Sequence, residues 1–223
     1  MVTFNHCPPK VLPDLESVTQ PDGKRYYVSP TGVRLPSVTT VVGAQSKQAI
    51  MEWRNRVGEE EANKVTKKAT NRGTKLHNIC EHYLLNKPLP VMLPDTQELF
   101  QSVKPFLHRI NNIHYIEQAF WSEKVGMAGR ADCIAEFDGE LAVIDHKTSG
   151  RIKYKEDIQS YFWQTAAYAL MYEELVGVPI NKLVIIMAVE GDNPLVFVER
   201  TKDHIQGLVD AIKYYRNQNV RIR

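Results

Sequence analysis

The hydrophobic period of the chain shortens at about Asn112, where a mainly helical stretch gives way to a part built around strands. From about Gln45 to Asn112, apolar residues recur every three to four positions, the spacing that places them on one helix face. Ile50, Trp53 and Val57 mark a helix over about Gln45 to Glu61. Leu76, Ile79 and Tyr83 mark a second over about Ala62 to Leu85, and Thr96 to Asn112 reads as a third, after a loop punctuated by Pro88, Pro90 and Pro94. The period then shortens: Ile116–Ser122, Ala128–Phe137 and Leu141–His146 are β-prone and predict strands. A helix over about Lys155 to Val176, strands at Lys182–Val189 and Leu195–Glu199, and a helix over about Asp203 to Gln218 complete the pattern. Ahead of these, Lys24–Val28 and Val33–Pro36 predict a short hairpin.

Asp138-Gly139 is a strong two-residue hairpin signal between two of the predicted strands. With that turn, Phe137 pairs with Glu140, and counting outward places Asp132 opposite Asp145 on one face, as a close non-hydrogen-bonded pair. Adjacent carboxylates repel unless something positive lies between them. Lys147 and Arg130 fall on the same face. A divalent cation shared by both aspartates, beside a lysine, makes that arrangement favourable. The plainer reading of an isolated Asp-x-Lys is a surface ion pair.

Apolar residues occupy both faces of this hairpin, Ile134 and Val143 on one and Cys133 and Ile144 on the other, so helices are expected on both sides of the sheet. The expected fold is α/β (α+β), a mixed central sheet flanked by helices with an N-terminal helical region. We expect a single domain over 1–223: an N-terminal extension (1–35), a helical region (36–112), a core (113–200) and a C-terminal helix (201–223).

Composition narrows the class. Hydrophobic residues at 43% and charged residues at 24% are those of a soluble globular protein. The three cysteines, Cys7, Cys80 and Cys133, are scattered, which argues against a disulfide framework, a zinc site or an iron–sulfur cluster and fits a reducing compartment. The longest apolar run, Leu183 to Val189, is seven residues, far short of a membrane span. Residues Met1 to Gln20 resemble neither a signal nor a transit peptide. Net charge is only +2, but Lys64, Lys67, Lys68, Arg72 and Lys75 cluster on one predicted helix, and Lys213, Arg216, Arg221 and Arg223 near the C-terminus. Such runs are either solvated faces or phosphate tracks.

The helix after Lys147 carries Tyr161, Gln164 and Tyr168 on one side and Ile158, Phe162, Ala166 and Ala169 on the other. Upstream, His77 offers an imidazole to a metal or simply pairs with Glu81. Glu117, on the strand before the hairpin, offers another carboxylate. Ser37, Thr39 and Thr40 either cap the following helix or present its N-terminus to a phosphate.

Taken together, Gly129-Arg-Ala-Asp132, Ile144-Asp-His-Lys147, Gln164-Thr-Ala-Ala-Tyr168 and Arg72-Gly-Thr-Lys-Leu-His77 resemble the RecB-like branch of the PD-(D/E)XK nuclease superfamily. With Pro36-Ser-Val-Thr-Thr-Val41, the chain is similar within that branch to the mitochondrial genome maintenance exonucleases and related phage exonucleases, from about Tyr26 to Val189. The resemblance implies a restriction-endonuclease-like core and a DNA substrate and, with no transit-like N-terminus, the cytoplasm of a bacterial or phage-infected cell, or the mitochondrial matrix for a processed chain. It makes Asp132 and Asp145 metal-binding acids, assisted by the His146 backbone carbonyl, His77 and Glu117. Lys147 becomes the catalytic lysine, with Gln164 and Tyr168 beside the scissile phosphate. Ala131 stands where the superfamily's motif has its proline, and the cysteine quartet of the iron–sulfur subgroup is absent. Arg72, Lys75, Lys68, Lys67, Ser37, Thr39 and Tyr161 are then candidates for DNA contact. Carboxylates with an imidazole and no thiolate suit Mg²⁺ or Mn²⁺. The expected activity is a metal-dependent DNA exonuclease, acting on ends of single-stranded DNA in replication, recombination or repair. The alternatives are a structure-specific endonuclease on the same fold and an inactive DNA-binding module.

Overall fold

A computed structural model describes residues 2–220, the last two by backbone alone, so Arg221 and Arg223 of the C-terminal basic cluster lie outside the described residues. The chain opens with a small antiparallel sheet of β1 (Ser17–Thr19), β2 (Arg25–Val28) and β3 (Arg34–Pro36). The last two strands form the expected hairpin. β1 is exposed along its length and has no apolar pattern to betray it; it exists through pairing with β2. Helices α1 (Val38–Val42), α2 (Lys47–Val57), α3 (Glu59–Leu84) and α4 (Pro94–Leu107) follow, with a 3-10 turn between the first two. Then come β4 (Ile110–Ser122), β5 (Met127–Phe137), β6 (Glu140–Ser149), α5 (Gln159–Val176), β7 (Lys182–Val189), β8 (Leu195–Arg200) and α6 (Thr201–Val220).

The second sheet has the order β4-β5-β6-β7-β8. Only β6 and β7 run parallel, joined through α5; the other neighbours are antiparallel, which makes the sheet mixed. One face packs against α3 and α4 through Leu76, Cys80, Phe100 and Val103, meeting Cys133, Ile144 and Val184. The other packs against α1, α5 and α6 through Val38, Ala166, Met171 and Leu208, meeting Ile134, Val143 and Leu183. Ile134 with Val143 and Cys133 with Ile144 therefore occupy opposite layers, as their alternation requires. This is a restriction-endonuclease-like arrangement.

Three boundaries differ from the sequence reading. The break between the first long helices falls at Gly58 rather than near Ala62. Gly58 has φ of +87°, a conformation open to glycine but strained for other residues, and its N–H bonds to the Arg54 carbonyl as it closes α2. Ile50 and Val57, two of the three residues of the apolar stripe that marked this helix, are exposed, as is Met51, and no residue of α2 is buried. The third helix stops at Leu107, and Ile110 already pairs with Phe137 in β4. Its helical spacing to Asn112 was overridden by the sheet edge. β6 runs on to Ser149 because β7 pairs with it in parallel, including Asp145 with Ile185 and Lys147 with Met187.

Candidate active site

Asp138 and Gly139 have φ of +51° and +75°, the two left-handed residues of a tight hairpin turn. The expected register follows from Phe137–Glu140 as far as Cys133–Ile144. There the ladder ends, one pair short of Asp132 and Asp145. β5 continues with β4 to the Met127–Ser122 pair, whereas β6 stays with β7, so the sheet forks where the acids lie. The predicted ladder pair is corrected accordingly: Asp132 Oδ2 lies in the fork and accepts a hydrogen bond from the His146 backbone N–H at 2.7 Å.

A second irregularity crosses the fork. Ile116 and Cys133 pack in the α3 layer, yet Phe120 and Ala131, an even number of residues along, pack in the α5 layer. Strict alternation would keep each pair on one face. The phase switches at Glu117 and Asp132, between the pairs Ile116–Cys133 and Gln118–Ala131. Glu117 has φ of +49°, sparsely populated for a side chain of this kind and costing about 1–3 kcal/mol. It turns its carboxylate toward α3, where His77 waits.

His77, Glu117 and Asp132 thus converge, each offering a ligand atom within 4.8 Å of the others. His77 Nδ1 lies 3.4 Å from Asp132 Oδ2, and the buried His146 ring stands edge-on to His77 at 6.1 Å between centroids. Burial and then the Asp132 charge push the Glu117 carboxyl up to about 7. Burial, followed by His77, pushes the His146 imidazole down to about 3, so that ring is neutral. An open cleft lined by Gly73, Thr74, His77, Asn78, Glu81 and Glu117 leads to this cluster.

Asp145 belongs to a neighbouring group. It is almost wholly buried, and Gln164 Nε2 donates to its Oδ1 at 3.1 Å. Its Oδ2 lies 2.5 Å from Lys147 Nζ, an ion pair whose angles are not those of a hydrogen bond. Burial raises the Asp145 carboxyl, and Lys147 pulls against that. Burial alone would lower Lys147, but Asp145 and Asp132 outweigh it and the ammonium is held above its ordinary range. Tyr161, one turn before Gln164, lies beneath Lys147, with Nζ 5.1 Å from the ring centroid. Tyr168 is buried against Gly129, where a Cβ would come within 2.8 Å of the Tyr168 hydroxyl and 3.2 Å of Val38. Only glycine admits that approach. α5 is buried nearly all round, so Gln164 and Tyr168 face the sheet and not solvent.

The donors suit a divalent cation. One imidazole and two carboxylates without sulfur form a hard-to-borderline set. Two of the buried polar side-chain atoms that have no hydrogen-bond partner among the described residues, Asp145 Oδ2 and His146 Nε2, are also here.

Candidate DNA-contacting residues are dispersed. Lys67 and Lys75 are exposed on α3. Arg72 is largely buried and pairs with Glu190 at 2.8 Å, and Lys68 reaches the same carboxylate at 3.2 Å. No spacing in the sequence links Glu190 to that helix. Ser37 is buried as the N-cap of α1, accepting from Thr40 N at 3.0 Å, with its hydroxyl 3.0 Å from that of the exposed Thr39. Arg130, expected beside Lys147, instead reaches back to β4 and to Asp14. Gly129 opens the Gly129-Arg-Ala-Asp132 motif, but its need for a missing side chain comes from Tyr168, 39 positions away.

The forked mixed sheet, with acids at the fork and an adjacent lysine, is the candidate active site. The profile of the PD-(D/E)XK nuclease superfamily matches residues 48–218, and the chain belongs to that superfamily. It is 30% identical over 141 residues to mitochondrial genome maintenance exonuclease 1 of Homo sapiens, a match covering 57% of this chain and 40% of that protein. The chain thus spans well under half the length of this curated relative. The crystal structure of a protein assigned as an exonuclease from Eubacterium rectale superposes with a TM-score of 0.44 at 14% identity, covering 83% of this chain and 67% of that one.

Proposed function

We propose that this protein is a divalent-metal-dependent DNA exonuclease that hydrolyses phosphodiester bonds from the ends of single-stranded DNA, in replication, recombination or repair. The observation that carries the reading is the convergence of His77, Glu117 and Asp132 beside the Asp145–Lys147 pair at the fork. His77, Glu117, Asp132 and Asp145 would hold Mg²⁺ or Mn²⁺, with the His146 carbonyl beside them. The ion supplies Lewis acidity that favours ionised water and offsets charge on the phosphate.

The chain's own groups complete the reaction. The Lys147 ammonium orients the attacking water and faces the negative charge that develops on the phosphate. Gln164 holds Asp145 by Oδ1, which keeps Oδ2 directed at Lys147 and the fork. Tyr168 seats α5 against Gly129 and so fixes where Gln164 stands. An oxygen–phosphorus bond forms from water as the bond to the 3′-oxygen breaks in line, leaving a 5′-phosphate and a 3′-hydroxyl. Lys67 and Lys75, exposed on α3, are available to phosphates. Lys68 and Arg72 reach them by exchanging Glu190 for the DNA backbone.

The test is digestion of 5′- and 3′-labelled single-stranded, blunt and circular DNA with Mg²⁺, Mn²⁺ or EDTA, beside Lys147→Ala. Metal-dependent shortening from one end, intact circles and an inactive but folded, DNA-binding variant support the proposal. Cleaved circles would indicate an endonuclease. Binding without cleavage under any metal would leave only a DNA-binding module.

A further inference from the structure

The carboxylate of Glu117 reaches His77 only because its backbone is left-handed in the middle of a strand. An extended residue at that position would continue the alternation and direct the carboxylate into the α5 layer. The left-handed conformer is costly, and one side chain bonds the backbone at that point. Arg130 pairs with Ala119 across the β4–β5 ladder, and its guanidinium turns back along β4, where Nη1 donates to the Glu117 backbone carbonyl. The guanidinium is oriented in turn by the N-terminal segment: Nη2 donates to Asp14 Oδ1 at 2.5 Å. The Arg130–Asp14 pair is well exposed, so as a salt bridge it contributes little to stability. Its effect is on direction, since the planar fork of arginine bonds a carbonyl and a carboxylate together.

We propose that Arg130, steadied by Asp14, is a positioning residue for the metal site, holding Glu117 in the conformation that brings its carboxylate to His77 and Asp132. The inference rests on reading those three side chains as metal ligands. It makes a prediction of opposite sign to simple electrostatics. A guanidinium near a cation site repels the cation, so an Arg130 that acted only through its charge would, when removed, leave tighter metal binding. A positioning Arg130, when removed, leaves weaker binding, by about tenfold, the scale of lost outer-shell partners.

Mn²⁺ affinity would be measured by calorimetry on the full chain without DNA, for wild type, Arg130→Ala and Asp14→Ala, with thermal unfolding of each in EDTA. The expected result is about tenfold weaker Mn²⁺ binding for Arg130→Ala and a smaller loss in the same direction for Asp14→Ala, with unfolding temperatures close to wild type. Should Arg130→Ala not fold, Arg130→Lys reads the same quantity: its single ammonium keeps the charge but lacks the fork, and its Mn²⁺ affinity should still fall. Unchanged or tighter binding in a folded Arg130 variant overturns the proposal while leaving the metal site standing. A wild-type protein that binds no Mn²⁺ overturns the site and this inference with it.

Discussion

In the metal-free protein Glu117 should cost stability in alkali that it does not cost in acid, and removing its charge should abolish that cost. Burial and the nearby Asp132 charge raise its carboxyl from the ordinary 4.5 to about 7 in the folded state. A raised carboxyl binds its proton more tightly folded than unfolded. Below about 4.5 it is protonated in both states and carries no penalty. As pH rises from 4.5 through 7, stability is lost, and above 7 the loss is complete. A rise from about 4.5 to about 7 corresponds to roughly 3 kcal/mol for a fully desolvated group. Glu117 is only partly buried, and water screening brings this to about 1–2 kcal/mol. Glu117→Gln keeps the shape and the left-handed backbone but removes the charge. In EDTA at pH 8.5 it should unfold about 2–8 °C above wild type, on the scale of a chain this size. At pH 4 the two should coincide. Adding Mn²⁺ at pH 8.5 should raise the wild type, by about 2.7 kcal/mol at a hundredfold excess over its dissociation constant, and raise the variant much less. Differential scanning calorimetry at both pH values decides the matter. A Glu117→Gln protein no more stable than wild type at pH 8.5, or equally stabilised at pH 4, would refute the reasoning.

Other outcomes follow from the same geometry. Lys147→Ala should lower turnover by at least about a hundredfold in a steady-state assay while DNA affinity, read by fluorescence anisotropy, stays near wild type. Tyr161→Leu, which removes the ring beneath Lys147, should lower kcat about tenfold with little change in KM, whereas Tyr161→Phe should retain activity; equal losses in both would point to the hydroxyl instead. Gly129→Ala sets a methyl 2.8 Å from the Tyr168 hydroxyl and 3.2 Å from Val38, so it should destabilise the fold by about 1–3 kcal/mol, visible as a lower denaturant midpoint.

Much of the architecture was legible because it depends on local chemistry. Asp138-Gly139 encodes a turn with two left-handed residues, and that turn sets the register of β5 and β6 through Cys133–Ile144. Apolar residues on both strand faces required two covering layers, and the layers are present. Where the reading failed, the deciding partner lay far away in sequence. The apolar spacing of α2 encodes a helix, yet nothing in it says whether another element arrives to cover Ile50 or Met51. Ile110 was drawn from a helical pattern into β4 because Phe137 lies beside it.

For the site, the sequence by itself determined which groups are available: the aspartates flanking a tight turn, a lysine two residues on, and helical rows carrying His77 and Gln164. A period of two or of 3.6 follows from backbone geometry, so it can be read from one strand or helix alone. The tertiary structure decided how those groups are divided. The fork between β5 and β6 sends Asp132 to His77 and leaves Asp145 to Lys147 and Gln164. The left-handed Glu117, tied by Arg130, brings its carboxylate across the sheet. That division depends on where a ladder ends and which distant donor meets a carbonyl, quantities that exist only once the strands have paired.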